Sequence, residues 1–244
     1  MKVIDISYHQ GTINWNKVAK TDVTGVLIRA GYGKGNVDKQ FVKNINNAIE
    51  AGIEHIGAYW FSYAYTVDMA INEAKYIANL LFPYRDKIDL GVYFDWEYDS
   101  MKNAKKNGAI MNKNKITSMN LAFCQAIESL GYIAGYYVNE DYQKNYVDTN
   151  ALSQYRKWYS RYSSKAKPIN AYLWQYSSKG KVNGINTNVD MNKLLNPLTI
   201  EEIALEVIDG KWGNGVTRKN KLESAGYNYR LVQDKVNEIL KQRS

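Results

Sequence analysis

Asp95 and Glu97 stand two residues apart in Leu90-Gly-Val-Tyr-Phe-Asp-Trp-Glu-Tyr-Asp99. A run of that composition predicts a strand, on which residues two apart share a face. Two acids side by side on a buried face resist double ionisation. Desolvation adds to that penalty, so one of them keeps its proton near neutrality. A carboxylic acid still protonated at neutral pH is the donor that cleavage of a glycosidic bond requires. The residues alone leave two other readings open: a solvated turn built from Asp95, Glu97 and Asp99, and a hard-cation site. Two more acids favour catalysis. Asp5 ends the first strand-like run, and Asp190 lies in Asn186-Thr-Asn-Val-Asp-Met-Asn192 at the last. In a closed barrel the first and last strands are neighbours, which would bring both acids beside the fourth strand's pair.

Eight strand-like runs end at punctuating residues: 3–7, 26–30, 56–63, 91–97, 133–139, 157–162, 172–177 and a short one near Val189. Helical patterns alternate with the early ones. Phe41, Ile45, Ala48 and Ile49 end at Gly52; Ala70, Ala74, Ile77 and Leu81 end at Pro83; Ile116, Phe123, Ile127 and Leu130 end at Gly131. Shorter segments from Trp15 and after Glu140 bring the count to about five. Alternating strands and helices predict a parallel sheet in an α/β fold, a TIM-like barrel with eight strands and about five helices; an open doubly wound sheet is the competitor. Sites in such a barrel gather where strands end. The strand-end aromatics and amides are Tyr32, Tyr59, Trp60, Tyr63, Tyr137, Trp174, Gln175 and Tyr176, and alternation predicts that about half of them line the groove. Tyr32, Tyr59, Tyr63, Tyr137 and Gln175 are the candidate substrate-binding residues, because aromatic faces beside amides suit a sugar chain.

Composition excludes other classes. The chain of 244 residues is 45% apolar and 23% charged, which sustains a full core. A single cysteine and two histidines provide neither a disulfide framework nor a zinc cluster, so no metal and no cofactor is expected. Cys124 sits in a helical apolar pattern and is read as packing, His9 as a groove or packing residue. Gly31-Tyr-Gly-Lys-Gly-Asn36 imitates a dinucleotide loop, but the third glycine of that fingerprint would fall on Asn36. Of the net charge of +8, +7 belongs to the first 196 residues, since the tail from Pro197 holds 8 Lys and Arg against 7 Asp and Glu. Its densest patch, Lys102, Lys105, Lys106, Lys113 and Lys115, is threaded with Asn and Gly and reads as a solvated loop. Without interleaved aromatic residues it argues against nucleic acid. The most membrane-like stretch, 56–67, is shorter than the about 20 residues of a span, so no membrane insertion is expected.

A second unit is expected from about Asn196-Pro197, dividing the chain into 1–196 and 197–244. Thr199-Ile-Glu-Glu202 is a capping box opening a helix with Ile203, Ala204, Val207 and Ile208 on one face. Lys211-Trp-Gly-Asn-Gly215 turns the chain into a helix from Thr217 to Ala225 with Gly226 as its C-cap. A third helix from Arg230 carries Val232, Val236, Ile239 and Leu240. The prediction is a small three-helix bundle.

The chain resembles glycoside hydrolase family 25, the muramidase family that includes many phage lysins. The resemblance is carried by Ile4-Asp-Ile-Ser-Tyr-His-Gln-Gly11 with Trp15, Leu27-Ile-Arg-Ala-Gly-Tyr-Gly33, Gly57-Ala-Tyr-Trp-Phe-Ser-Tyr63, Asp95-x-Glu97, Gly135-Tyr-Tyr137, Leu173-Trp-Gln-Tyr-Ser-Ser178 and Val189-Asp-Met-Asn192. It implies hydrolysis of the β-1,4 bond between N-acetylmuramic acid and N-acetylglucosamine in bacterial peptidoglycan, with Glu97 matching the proton donor and Asp5, Asp95 and Asp190 the other active-site acids. Two routes stay open, one with an acid of this set as nucleophile and one through the substrate's own acetamido group; the second is favoured, with Asp95 orienting and polarising that group and Asp5 and Asp190 holding water and the field. The tail resembles the CW-seven type of cell-wall-binding repeat through Val207-Ile-Asp-Gly-Lys-Trp-Gly-Asn-Gly215, Arg218, Leu222 and Ala225-Gly-Tyr227. That likeness implies wall-binding roles for Asp209, Trp212, Asn214 and Arg218; a lid over a small core is the competing role for Trp212. Anionic wall polymers are a further expected partner for the positive barrel. With no export signal in its first residues, the expected location is the host cytoplasm, with a separate membrane-permeabilising factor for release. The competing function is a non-catalytic glycan-binding protein on the same scaffold.

Overall fold

The computed structural model describes residues 1–162, 170–195, 199–224 and 227–243. Its strands are β1 (Lys2–Ile6), β2 (Val23–Tyr32), β3 (Asn36–Val37), β4 (His55–Phe61), β5 (Ile88–Asp95), β6 (Ala134–Asn139), β7 (Arg156–Ser160), β8 (Leu173–Gly180) and β9 (Val189–Leu194). Eight of them close into a barrel in the order β1-β9-β8-β7-β6-β5-β4-β2, because β1 also pairs with β2; β3 is a two-residue flap on β2. The open-sheet alternative is thereby set aside.

Apart from the flap β3, neighbouring strands pair parallel from β1 through β8, but β9 runs antiparallel to both its neighbours. That departs from the all-parallel expectation. The segment 181–188 between β8 and β9 contains no helix, so the chain returns as a hairpin instead of crossing over.

Alternation divides each strand between two apolar layers. Trp60, Phe94, Tyr136 and Val138 face outward and pack with Phe41, Ile45, Ile77 and Phe123 of the surrounding helices. Val3, Leu27, Tyr59, Tyr93, Tyr137, Trp158 and Leu173 form a second cluster. The rings of Tyr59, Tyr93 and Tyr137 lie 5.4, 5.7 and 4.9 Å from that of Trp158, edge to face. Side chains from β4 and β7, which are not adjacent, can meet only across the barrel interior. Glycine is required at 135 on this layer, since a Cβ there would come within 2.4 Å of the Tyr93 ring.

Around the barrel lie α1 (Trp15–Val18), α2 (Phe41–Glu50), α3 (Val67–Leu81), α4 (Tyr98–Lys106), α5 (Lys113–Ser129) and α6 (Glu140–Asn145). Side-chain caps from Thr66, Asn112 and Asn139 start α3, α5 and α6. The helix missing from the sequence reading is α4, where a lysine-rich solvated loop was expected. Only Ser100 and Ala104 of α4 are buried, too narrow a stripe to give an apolar period. Lys102, Lys105 and Lys106 cover its exposed side, and Lys113 and Lys115 open α5. Gly31 to Asn36 forms the β2–β3 hairpin, not the strand-to-helix turn of a dinucleotide site. Cys124 is fully buried in α5, with its thiol 3.5 Å from the Gly135 carbonyl.

In the tail, α7 (Ile200–Ile208), α8 (Gly215–Ser224) and α9 (Tyr229–Arg243) bury Ile203, Ala204, Val207, Leu222, Tyr227, Val232 and Val236 together. Thr199 and Glu202 form the expected capping box. The expected boundary at Asn196-Pro197 and the C-cap at Gly226 lie outside the described residues. Among the described residues no helix is long and apolar enough to cross a membrane.

Candidate active site

A cleft at the barrel mouth is lined by all four acids, Asp5, Asp95, Glu97 and Asp190, together with Tyr59, Tyr137 and Gln175. Asp95 ends β5 and Asp5 is the penultimate residue of β1, two strands that run the same way. Asp190 is the second residue of β9, and it reaches the same mouth only because β9 is antiparallel; its Cα partner in the ladder is Asp5. Glu97 arrives differently from the expectation that it shares a strand with Asp95. The strand stops at Asp95, and Trp96 turns inward to donate its indole N–H to the Ala64 carbonyl at 2.7 Å. Glu97 then becomes the N-cap of α4, its backbone N–H donating to the Ser100 hydroxyl at 3.0 Å.

Asp5 is 4% exposed and is held from three sides. One of its oxygens, Oδ2, accepts hydrogen bonds from Gln175 Nε2 at 3.0 Å and from Asn192 Nδ2 at 2.7 Å. Its carboxyl also meets that of Asp190. Asn192 is fixed in turn by the Trp158 indole at 2.7 Å. Gln175 accepts from the hydroxyls of Tyr162 at 3.2 Å and Tyr137 at 3.5 Å. Burial, reinforced by the Asp190 charge, raises Asp5 to about 8, while Asp190 rises to about 6. At neutral pH the pair therefore shares one proton.

Asp95 is 6% exposed and its Oδ1 has no partner within the protein. Burial, then the charges of Glu97 and Asp5, push its carboxyl well above the usual range, and Arg29 opposes them. Glu97 is raised to about 7, by burial first and then by Asp99 and Asp190. An acid at a helix N-terminus normally gains from the dipole, so desolvation outweighs it here.

Tyr59, Tyr137 and Gln175 line the cleft as expected, Gln175 with its amide committed to Asp5. Tyr32 and Tyr63 stand outside the acid cluster, edge to face at 6.4 Å, and Tyr63 touches the cleft-lining Phe61 at 5.3 Å. Trp60 and Trp174 are buried elsewhere. His9 lines the cleft against Tyr8, with ring centroids 4.0 Å apart. Sequence reasoning assigned no role to Arg29, Tyr162, Trp158 or Asn192. Arg29 pairs with buried Asp38 at 2.8 Å and lies over the Tyr8 ring at 4.9 Å. Its inward parity with Leu27 on β2 was the available signal. Among the described residues no group of three or more His, Cys, Asp and Glu is arranged to hold a metal ion.

In the tail, Asp209 and Asn214 are exposed. Trp212 packs edge to face on Tyr227 at 5.9 Å and donates to Glu206 at 3.0 Å. Arg218 donates to the Gly213 carbonyl, Gln233 and Asn214. Trp212 and Arg218 thus hold the bundle's turn together, whatever else they contact.

A closed barrel with four carboxylates converging at its mouth is the architecture of a glycoside hydrolase. The chain belongs to glycosyl hydrolases family 25, whose model matches residues 4–185, and a CW_7 repeat matches 201–240. It is 28% identical to a lysozyme of Streptococcus phage Cp-7 over 97% of this chain and 69% of that protein. The modular autolysin LytC from Streptococcus pneumoniae, solved with a synthetic peptidoglycan ligand, is 27% identical with a TM-score of 0.68, covering 78% of this chain and 46% of LytC. This chain therefore spans less than half of that autolysin. A bacterial lysozyme from Streptomyces coelicolor shares the fold at 23% identity and a TM-score of 0.64, covering 84% of this chain and 96% of that one.

Proposed function

We propose that the chain is an N-acetylmuramidase that cuts the β-1,4 bond from N-acetylmuramic acid to N-acetylglucosamine in peptidoglycan, acting as a lysin. The observation that carries this reading is a carboxylic acid at the mouth, Glu97, raised to about 7 beside three further carboxyls in one cleft. Protonated Glu97 gives its proton to the glycosidic oxygen as the bond to the anomeric carbon breaks. Asp95 Oδ1, buried without a partner, accepts from the acetamido N–H and orients that group against the anomeric carbon. Asp190, ionised above about 6, stabilises the positive charge that develops on the sugar. Water then supplies hydroxide to the anomeric carbon, and its proton returns to Glu97.

The pH dependence follows. Activity needs Asp190 ionised and Glu97 protonated, so release of reducing ends from purified peptidoglycan should peak between pH about 6 and about 7. It should fall about tenfold per pH unit well above the peak. Reducing-end release that keeps rising through pH 9 would remove Glu97 as donor, and no release at any pH would remove the activity.

The two sequence units divide the work: residues 1–196 catalyse and residues 197–244 hold the wall. The CW_7 match supports the second half, and exposed Asp209 and Asn214 are the side chains best placed to contact wall ligands, with Trp212 and Arg218 shaping the turn between them. Deleting 197–244 should weaken co-sedimentation with peptidoglycan by about 100-fold, the lower end of the avidity gained from a second linked module. Turnover of soluble glycan fragments should change by less than about twofold. Undiminished sedimentation of the truncated protein would contradict the assignment.

A further inference from the structure

Glu73 is a buried acid, 2% exposed, on α3 and outside the cleft. Its Oε1 accepts the backbone N–H of Tyr63 at 3.0 Å, and the Ser62 side chain lies beside its carboxyl. The stretch from Ser62 to Ala64 that it grips follows β4, and the three consecutive carbonyls of that stretch all accept from the segment bearing Glu97. The Ser100 hydroxyl donates to Ser62 at 2.6 Å, Asn103 Nδ2 to Tyr63 at 3.1 Å and the Trp96 indole to Ala64 at 2.7 Å. Ser100 also accepts the Glu97 backbone N–H at 3.0 Å, so one hydroxyl joins the gripped stretch to the proton donor.

We propose that Glu73 is a positioning residue for the reaction: it fixes the stretch from Ser62 to Ala64, whose carbonyls set the position of Glu97. The proposal rests on the muramidase reading for its assay. A misplacement of about 1 Å at a reacting group can cost about 100-fold in rate, so a buried anchor at one remove has a measurable effect. Burial raises Glu73 to about 8, so it is neutral at working pH, and a glutamine keeps the acceptor and the shape.

The test compares Glu73→Gln, Glu73→Met and Ser100→Ala in the full chain, with reducing-end release from peptidoglycan as the assay and thermal unfolding as a control. Glu73→Gln should stay within about threefold of the parent. Glu73→Met, which keeps length and loses both oxygens, should lower kcat at least about tenfold with KM changed less than about twofold. A folded Glu73→Met with parental kcat, a loss confined to KM, or a loss in Glu73→Gln as deep as in Glu73→Met would overturn the proposal. If Glu73→Met does not fold, Ser100→Ala decides: a kcat loss of about fivefold or more upholds the linkage, and parental kcat ends it. Failure of the parent chain to release reducing ends would instead strike the muramidase reading.

Discussion

Glu97→Gln should lower reducing-end release from peptidoglycan by about 10³-fold, within the range general acid catalysis contributes, with folding and wall sedimentation unchanged. The amide keeps the shape of the side chain at the N-cap of α4, and the bond from the Glu97 backbone N–H to Ser100 does not depend on the carboxyl. Only the transferable proton is lost. The deficit should appear in kcat far more than in KM, because the leaving oxygen needs the proton in the transition state and not in the bound ground state. A Glu97→Gln enzyme with a tenth or more of parental kcat would mean that another group donates.

Asp95→Asn should separate activity from stability. Its rate should fall about 100-fold, because an amide is a poorer acceptor for the acetamido N–H that the unpartnered Asp95 Oδ1 is placed to bind. The same substitution should stabilise the fold by about 2 kcal/mol at pH 8, since it removes a buried acid with an unpartnered oxygen, one that burial holds well above its ordinary range. The sign follows from proton uptake. Carboxyls raised on folding bind protons more tightly in the native state, so native stability is greatest at low pH within the window and declines as pH rises. That window opens near the unfolded value of about 4 and closes at about 7 for Glu97 and about 8 for Asp5 and Glu73. Thermal unfolding of the parent should therefore move to lower temperature between pH 5 and 8, with a shallower slope in Asp95→Asn. An Asp95→Asn protein less stable than the parent at pH 8 would show that the carboxylate is satisfied in solution.

The acid cluster was legible because each member is an uncommon residue in its local setting: a polar end to an apolar strand at Asp5, a pair of acids after Tyr93 and Phe94, and Asp190 in a short final run. Strand parity then predicted the face of Asp95, and barrel closure predicted that Asp5 and Asp190 would lie beside it. What period-two and period-3.6 patterns do not carry is strand direction. The antiparallel course of β9 depends on the hairpin at 181–188, and without it Asp190 would begin its strand at the opposite end of the barrel. Helix α4 was missed because two buried residues make no amphipathic period, and with it the placement of Glu97 on a cap instead of a strand. The supporting shell was also invisible. Asn192, Tyr162 and Trp158 act through bonds to residues distant in sequence, Asn192 to Asp5 across 187 positions, and no local spacing signals such a pair. Glu73 is concealed differently: its side of α3 reads as helix interior, and a single acid among alanines looks solvent-facing until the fold buries it.

Mass analysis of borohydride-reduced digests of purified peptidoglycan tests the central claim most directly. Cleavage by the four-carboxyl mouth predicts that reduced N-acetylmuramic acid ends every released fragment, and that these ends vanish with Glu97→Gln. Reduced N-acetylglucosamine, or fragments freed only by cleavage within the peptide stems, would contradict it.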